Sequence, residues 1–220
     1  MNRRAFLWTP LVCLGASSQA LGYVIPPRAV LDLGQKALAG SPGLTAELAG
    51  RAWSEKASGL KSVSERWSFG EKPSFEVSTD AGRVAHWTQG KTRDPQGLLP
   101  SQPLRDICLD LFHLGDLQAM LKRQEVRVDR RHLTIMDGTP MIALGSHGPQ
   151  PGVPMVWFHH DTHRIMRIIL PGHRGGLDIR FRRWHMPSTR DLFPYEMIVL
   201  RNGRPVRLLK TQFVMEKAAK

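Results

Sequence analysis

Three spacing regimes succeed one another along the chain. Between Arg28 and Ala39, Val30, Leu31, Leu33, Gly34, Ala37 and Leu38 gather on one face of a helix, while Asp32, Gln35 and Lys36 turn away. Pro26-Pro27 pre-sets its first turn and Gly40-Ser41-Pro42-Gly43 stops it. From Leu44 to about Gly90 the period falls to two. Leu44, Ala46, Leu48 and Ala52 alternate with Thr45, Glu47 and Arg51, and Val63, Trp67 and Phe69 alternate with Ser62, Ser64, Arg66 and Ser68. Phe75, Val77 and Val84 continue the pattern around an Asp80-Ala81-Gly82 turn, which predicts four short strands in an antiparallel meander. Residues 91–103 are rich in Pro, Gly, Gln and Ser and read as a loop. Helical spacing returns at Leu104, Ile107, Cys108, Leu111 and Phe112; Gly115-Asp116 breaks this helix and caps a second one running to about Lys122.

Past Glu125 the pattern predicts strands near 126–136, 140–146, 153–159, 163–170, 177–184, 194–201 and 204–215. Asp137-Gly138 and Asn202-Gly203 are two-residue hairpin signals, because both turn positions there need positive φ. These late strands are apolar on both faces. Val153, Met155 and Trp157 oppose Val156 and Phe158, and Met166, Ile168 and Leu170 oppose Ile165 and Ile169. Met197 and Val199 likewise oppose Ile198 and Leu200, and Val206 and Leu208 oppose Leu209 and Phe213. An antiparallel sheet normally leaves one face wet, so both faces here must be covered or line a cavity. Few helices are available, so the expectation is a curved sheet wrapped around them with apolar lining left for a guest. The expected fold class is α+β, mostly antiparallel β: an open half-barrel of about ten or eleven strands with helices covering the concave face.

Charge and the N-terminus narrow the setting. The 220 residues carry 31 Lys and Arg against 19 Asp and Glu, a formal net charge of +12. Arg3-Arg4, the apolar run Phe6–Leu14 and Ser18-Gln19-Ala20 read as an export signal cleaved after Ala20, leaving one domain over 21–220. Asn2-Arg3-Arg4-Ala5-Phe6-Leu7 also resembles a twin-arginine motif, so the general secretory and twin-arginine routes both stay open. The residues before Cys13 do not fit a lipoprotein box. Loss of two arginines leaves 29 basic residues against 19 acidic, +10, and Cys108 as the single mature cysteine, without an intramolecular disulfide. A basic exported protein suits an anionic membrane surface or an envelope protein partner, not nucleic acid.

Catalytic motifs fail on inspection. His159-His160-Asp161-His163 has metal-ligand residue types, but it falls where a hairpin turns, and adjacent strand residues point to opposite faces; a polar turn is preferred to a metal site. Gly90-Lys91-Thr92 lacks the upstream glycine of a phosphate loop, Gly145-Ser146-His147-Gly148 lacks the nucleophile-elbow spacing, and no paired carboxylates occupy an apolar setting. No cofactor and no enzymatic activity are expected. Arg180 and Arg182 share one face of a late strand, a solvated face or a basic platform. Eight mature methionines suit irregular packing or adaptable contact with apolar guests.

The order of export signal, leading helix, meander, helical insert and further hairpins resembles the outer-membrane lipoprotein carrier and sorting family (LolA-like). Lys72-Pro73-Ser74-Phe75 is similar to that family's basic-Pro-x-x-aromatic segment, shortened by one position. Asp80-Ala81-Gly82 followed by Trp87, and Phe158-His159-His160-Asp161-Thr162-His163 and Phe193-Pro194-Tyr195, resemble its hairpin elements. The resemblance spans about 28–215 and implies a sheet whose concave face binds acyl chains of lipoproteins or other lipids under a helical lid. It also implies a lid latch at Lys72, where the carriers have an arginine. The expected hydrophobic lining is Trp67, Phe69, Phe75, Trp87, Met155, Trp157, Ile168, Met197 and Leu208. The expected protein is thus a monomeric periplasmic binder of acyl chains. The alternative is an envelope sensor or interaction module of the same fold that uses the Arg180 and Arg182 face.

Overall fold

The computed structural model describes residues 25–38, 43–54, 56–148, 150–172 and 176–216. The leader over 1–20 lies outside the described residues. Helix α1 (Pro27–Ala37) precedes five strands, β1 (Leu44–Ser54), β2 (Gly59–Ser68), β3 (Ser74–Thr79), β4 (Gly82–Thr88) and β5 (Lys91–Arg93). Helix α2 (Gln102–Cys108) runs on into a π-helical turn, Leu109–His113, and α3 (Leu117–Arg123) follows. The remaining strands are β6 (Arg131–Met136), β7 (Thr139–Leu144), β8 (Met155–His159), β9 (Ile165–Leu170), β10 (Leu177–Arg182), β11 (Glu196–Arg201) and β12 (Arg204–Glu216).

All twelve strands form one antiparallel sheet in the order β5-β4-β3-β2-β1-β12-β11-β10-β9-β8-β7-β6. The first and last strands therefore pair at the centre, and two meanders extend outward to free edges at β5 and β6. The sheet is open, with the helices on one face: the expected α+β half-barrel. Bulges at Glu47/Leu48, Val77/Ser78, Trp157/Phe158 and Val199/Leu200 add the local twist that curves it. At the centre β1 and β12 approach so closely that a Cβ on Gly50 would lie 2.0 Å from the Leu208 carbonyl oxygen.

Short-range chemistry sets most boundaries. Asp137-Gly138 and Asn202-Gly203 form the two-residue hairpins β6–β7 and β11–β12 with all four residues at positive φ. The Asp116 side chain accepts from Ala119 N at 2.8 Å, capping α3. Gln35 of α1 grips the start of α3, accepting from Leu117 N at 2.9 Å and donating to the Gly115 carbonyl. Gly34 lets α1 settle onto the sheet, since a Cβ there would meet Phe158 at 2.8 Å and Leu117 at 3.2 Å.

Besides strands shorter by two residues at the starts of β8, β9 and β11 and at the ends of β7 and β10, the structure departs from the expected elements in three places. β5 lies in the stretch read as a loop, because Lys-Thr-Arg carries no apolar alternation. The helix after Leu104 changes to π geometry at Leu109, and Leu114 N donates to Leu109 O at 2.9 Å. β6 begins at Arg131, because Arg127–Arg130 forms a turn braced by Arg127 and Asp129.

The concave face is packed. Trp67 and Phe69 of the β2–β3 region pack on Phe75 and meet Phe193 from the β10–β11 connection; Phe69 also meets Phe112 of the π turn, which in turn packs on Trp184. Ring centroids lie 4.6 Å apart for Phe112–Phe193 and 5.2 Å for Trp67–Phe75. Trp184 Nε1 donates to Ile165 O at 3.0 Å, so its polar atom is satisfied. The apolar lining expected to stand empty is filled by the protein's own helices and by this connection. Among the described residues no helix is long and apolar enough to cross a membrane.

Candidate functional site: a strap latched to the concave face

Two charges break the apolar register of the central strands. Glu65 falls in step with Val63 and Trp67, and Arg207 in step with Leu209, so alternation carries both under the helical layer. They meet there, both buried, with Arg207 Nε donating to Glu65 Oε1 at 2.9 Å. Trp67 Nε1 donates to the other carboxylate oxygen at 2.8 Å. The outer nitrogens of Arg207 reach the carbonyls of Leu98 and Leu99, the second at 3.3 Å. One guanidinium thus joins the middle of the sheet to a segment that crosses its concave face.

That segment, residues 94–101, is organised as a strap. Asp94 accepts from Leu98 N at 2.8 Å and from Leu99 N at 2.9 Å, which turns both carbonyls toward Arg207. Ser54 Oγ donates to Gln96 O at 2.9 Å, tying the strap to β1. Arg105 of α2 donates to Pro100 O and stacks 5.4 Å above Trp87. Burial lowers the Arg105 pKa from its ordinary value against the pull of Asp106 and Asp94.

Beside the latch the packing opens into a cleft of about 230 Å³. Leu99, Leu104, Val199 and Val206 give it apolar walls, and Arg105 and Arg201 stand at its rim. Trp53, half exposed, flanks it. The site therefore combines an apolar hollow, a cationic rim and a wall held by side-chain hydrogen bonds.

The nine residues expected to line a cavity divide between the faces. Trp67, Phe69, Phe75, Ile168 and Met197 are buried in the concave core, and Trp87 packs at its edge against Phe75 at 5.5 Å. Met155, Trp157 and Leu208 lie on the convex side. Val156 and Phe158 belong to the core, whereas Trp157 pairs with Arg167 and Met155 with Ile169; Leu208 stands opposite Arg51 and Ile198. Met136, Met141 and Met155 are buried outside the main core, so the second apolar face is partly covered by its own methionines.

Arg167, Arg180 and Arg182 of the convex face are engaged with carboxylates. Arg167 lies 4.5 Å over Trp157 and grips Asp178 with two 2.8 Å hydrogen bonds, and Arg180 donates to the same carboxylate at 2.9 Å. Burial raises the Asp178 pKa, but these bonds outweigh it and hold the carboxyl below its ordinary value. Arg182 bonds Asp137 of the β6–β7 turn at 2.6 Å. Lys72 is exposed in a separate surface hollow with Gly43, Thr45 and Met215; the arginine that reaches the strap is Arg207.

His159 organises its turn, its Nδ1 accepting from Asp161 N at 3.1 Å and Thr162 N at 3.3 Å, while His160 pairs with Asp161 at 2.8 Å. Burial lowers the pKa of His163. Among the described residues no group of three or more His, Cys, Asp or Glu could hold a metal ion. Cys108 is buried, and desolvation drives its thiol pKa far above the ordinary value.

No protein-family model matches the sequence, and no curated protein matches it. Solved structures do. A LolA superfamily protein from Nitrosomonas europaea matches with a TM-score of 0.53 at 9% identity, over 90% of this chain and 96% of that one. A DUF1329 family protein from Desulfovibrio piger matches at 0.44 and 13% identity, over 89% and 95%. A structure described as an outer membrane lipoprotein-sorting protein domain, from Vibrio parahaemolyticus, matches at 0.45 and 8% identity, over 87% and 92%. The first of these carries the structural conclusion: the chain has a LolA-like fold, an open antiparallel half-barrel with helices on its concave face.

Proposed function

We propose that this protein is a periplasmic, non-enzymatic carrier that shelters acyl chains of lipoproteins or other lipids between the concave sheet and the strap. The observation that carries the reading is the strap itself. A wall over an apolar cleft is held by side-chain bonds from Arg207 to Leu98 and Leu99, from Ser54 to Gln96 and from Arg105 to Pro100, none of them part of the sheet's own ladder, so on this reading it lifts without unfolding the sheet. The LolA-like fold and the export-type leader support the same setting. Burial of each methylene contributes about 0.8 kcal/mol, and the rim arginines Arg105 and Arg201 suit the anionic end of an amphiphile.

The test is extraction and mass spectrometry of the protein isolated from an envelope fraction, together with titration of a fluorescent long-chain fatty acid. Stoichiometric acyl material and saturable probe binding are expected. Ser101 lines the cleft and makes no side-chain cap bond, so Ser101→Trp should block binding while leaving the fold intact. Absence of acyl material, together with failure of both the wild-type protein and an Arg207→Met variant to bind probe, overturns the reading.

A further inference from the structure

The two free edges of the sheet are built differently. β5 is three residues long, exposed throughout, and carries Lys91 and Arg93, the usual protection of an edge against pairing. β6 has six residues and no proline, and Leu133 and Ile135 are each 69% exposed on it. They are the most exposed large apolar side chains of the described residues. Hairpin parity fixes which backbone groups are free. Met136 pairs with Thr139 across a two-residue turn and Gly145 N donates to Arg130 O, so the even-numbered residues of β6 bond to β7. The N–H and C=O of Arg131, Leu133 and Ile135 therefore point outward from the sheet.

We propose that β6 is a self-complementary docking edge through which two copies of this chain pair antiparallel and join their sheets. A two-fold axis at Thr134 sets Leu133 opposite Ile135 of the second copy and Ile135 opposite its Leu133. These are hydrogen-bonded pairs with their aliphatic side chains on one face. The same register brings the Asp137 turn of each copy beside Arg130-Arg131 of the other. Neither arginine makes a salt bridge among the described residues, Arg130 attracting only its chain neighbour Asp129 at longer range. The Asp137 carboxylate already accepts from Arg182 but remains 62% exposed, with room for a second guanidinium. Shifting the register by two residues, so that Leu133 faces itself, sets Asp129 opposite Asp137 instead, which like-charge repulsion disfavours. The pairing departs from the monomer expected from sequence, and it is independent of the cleft: it uses the outer edge and leaves the strap free.

The experiment is sedimentation of the protein at about 0.15 M salt, where net charge is screened beyond ~8 Å. A concentration-dependent dimer is expected. Leu133→Pro removes an outward N–H that bonds nothing within the chain, and should weaken dimerisation at least tenfold. Thr134→Cys should form a disulfide dimer under mild oxidation, since directly opposed residues of a non-hydrogen-bonded pair lie within bridging distance, while Leu133→Cys should not. The charge variants Arg130→Glu/Arg131→Glu and Asp137→Arg should each stay monomeric alone and form heterodimers when mixed. A protein monomeric to about 100 µM whose Thr134→Cys variant does not cross-link overturns the proposal. So does a dimer unaffected by Leu133→Pro with no heterodimer from the charge variants, which assigns association to another surface.

Discussion

Replacing Arg207 with Met isolates the latch. In the native state the Glu65 carboxylate is buried and holds two donors, Arg207 Nε and Trp67 Nε1. The substitution leaves it with the indole alone and strips the Leu98 and Leu99 carbonyls of their common donor. Breaking a buried pair from one side costs about 3–5 kcal/mol, because the partner charge stays behind without compensation. In a protein of this size 1 kcal/mol shifts Tm by about 2–4 °C, so a fall of order 10 °C is expected. The double replacement Glu65→Leu/Arg207→Met removes both charges and should recover the part of the loss that comes from the uncompensated carboxylate, while the Trp67 indole and the Leu98 and Leu99 carbonyls stay without their partners. Urea denaturation followed by circular dichroism measures both. Hydrogen exchange at Leu98 and Leu99 reports the strap, since their amides bond to Asp94 and should lose protection more than the sheet does. Stability of the single variant within 0.5 kcal/mol of wild type, with unchanged exchange at those two amides, refutes the latch.

Asp178 gives a pH-dependent companion. Its carboxyl is held below the ordinary value by Arg167 and Arg180, so its contribution is present above about pH 4 and is lost as pH falls through the lowered value. Asp178→Asn should cost about 1–3 kcal/mol at pH 7 and little near pH 2, measured by urea denaturation across pH. Asp110 runs the other way. It is buried in the π turn with neither oxygen hydrogen-bonded, and burial raises its pKa against the attraction of Arg123 at 3.2 Å. The wild type therefore loses stability as pH rises through the raised value, and Asp110→Asn should be more stable than wild type at pH 7, with the advantage gone below about pH 4. Gly50→Ala should destabilise by more than Gly34→Ala, because the first new methyl meets a β12 carbonyl and the second the edge of a phenyl ring. Cys108 should resist iodoacetamide in the native protein and react on unfolding.

The meander and its turns were legible because each is a local decision. The Asp137-Gly138 and Asn202-Gly203 hairpins follow from φ alone, and the Asp116 cap from one side chain. Which face of β8 looks inward was not legible, since Met155 and Trp157 are as apolar as Val156 and Phe158. The bulge at Trp157/Phe158 also shifts the phase between β8 and β9. Occupancy of the hollow was hidden for a related reason. Phe193 lies in a connection with no strand pattern, and Trp184 falls just past Arg182, where the strand expected over 177–184 ends, yet both fill the centre of the concave face. The latch left a signal that alternation could have found. A glutamate in step with Val63 and Trp67, and an arginine in step with Leu209, are charges in an apolar register and demand partners. What alternation cannot supply is that the two are each other's partner across 142 residues.

A packed interior makes guest binding a competition, and the competition has a length. Lifting the strap gives up the hydrogen bonds from Arg207 to Leu98 and Leu99. Bonds to a charged donor are worth about 1.5–3 kcal/mol each, so the latch alone contributes about 3–6 kcal/mol to the cost of opening. At about 0.8 kcal/mol per buried methylene, roughly four to eight methylenes only offset that cost. On the proposed reading, saturated fatty acids shorter than about six carbons should fail to displace a bound fluorescent acyl probe. Beyond that length each added methylene should tighten binding about fourfold until the chain outgrows the space beneath the strap. In Glu65→Leu/Arg207→Met the latch is gone and Ser54 and Arg105 alone bond the strap, so the threshold should move to shorter chains while the slope per methylene stays the same. Slope and threshold thus report separate things: the slope reads apolar burial, and the threshold reads the latch. Affinity indifferent to chain length would exclude burial of the tail in this fold, and a threshold unmoved by the double variant would show that the strap is not what a guest has to lift.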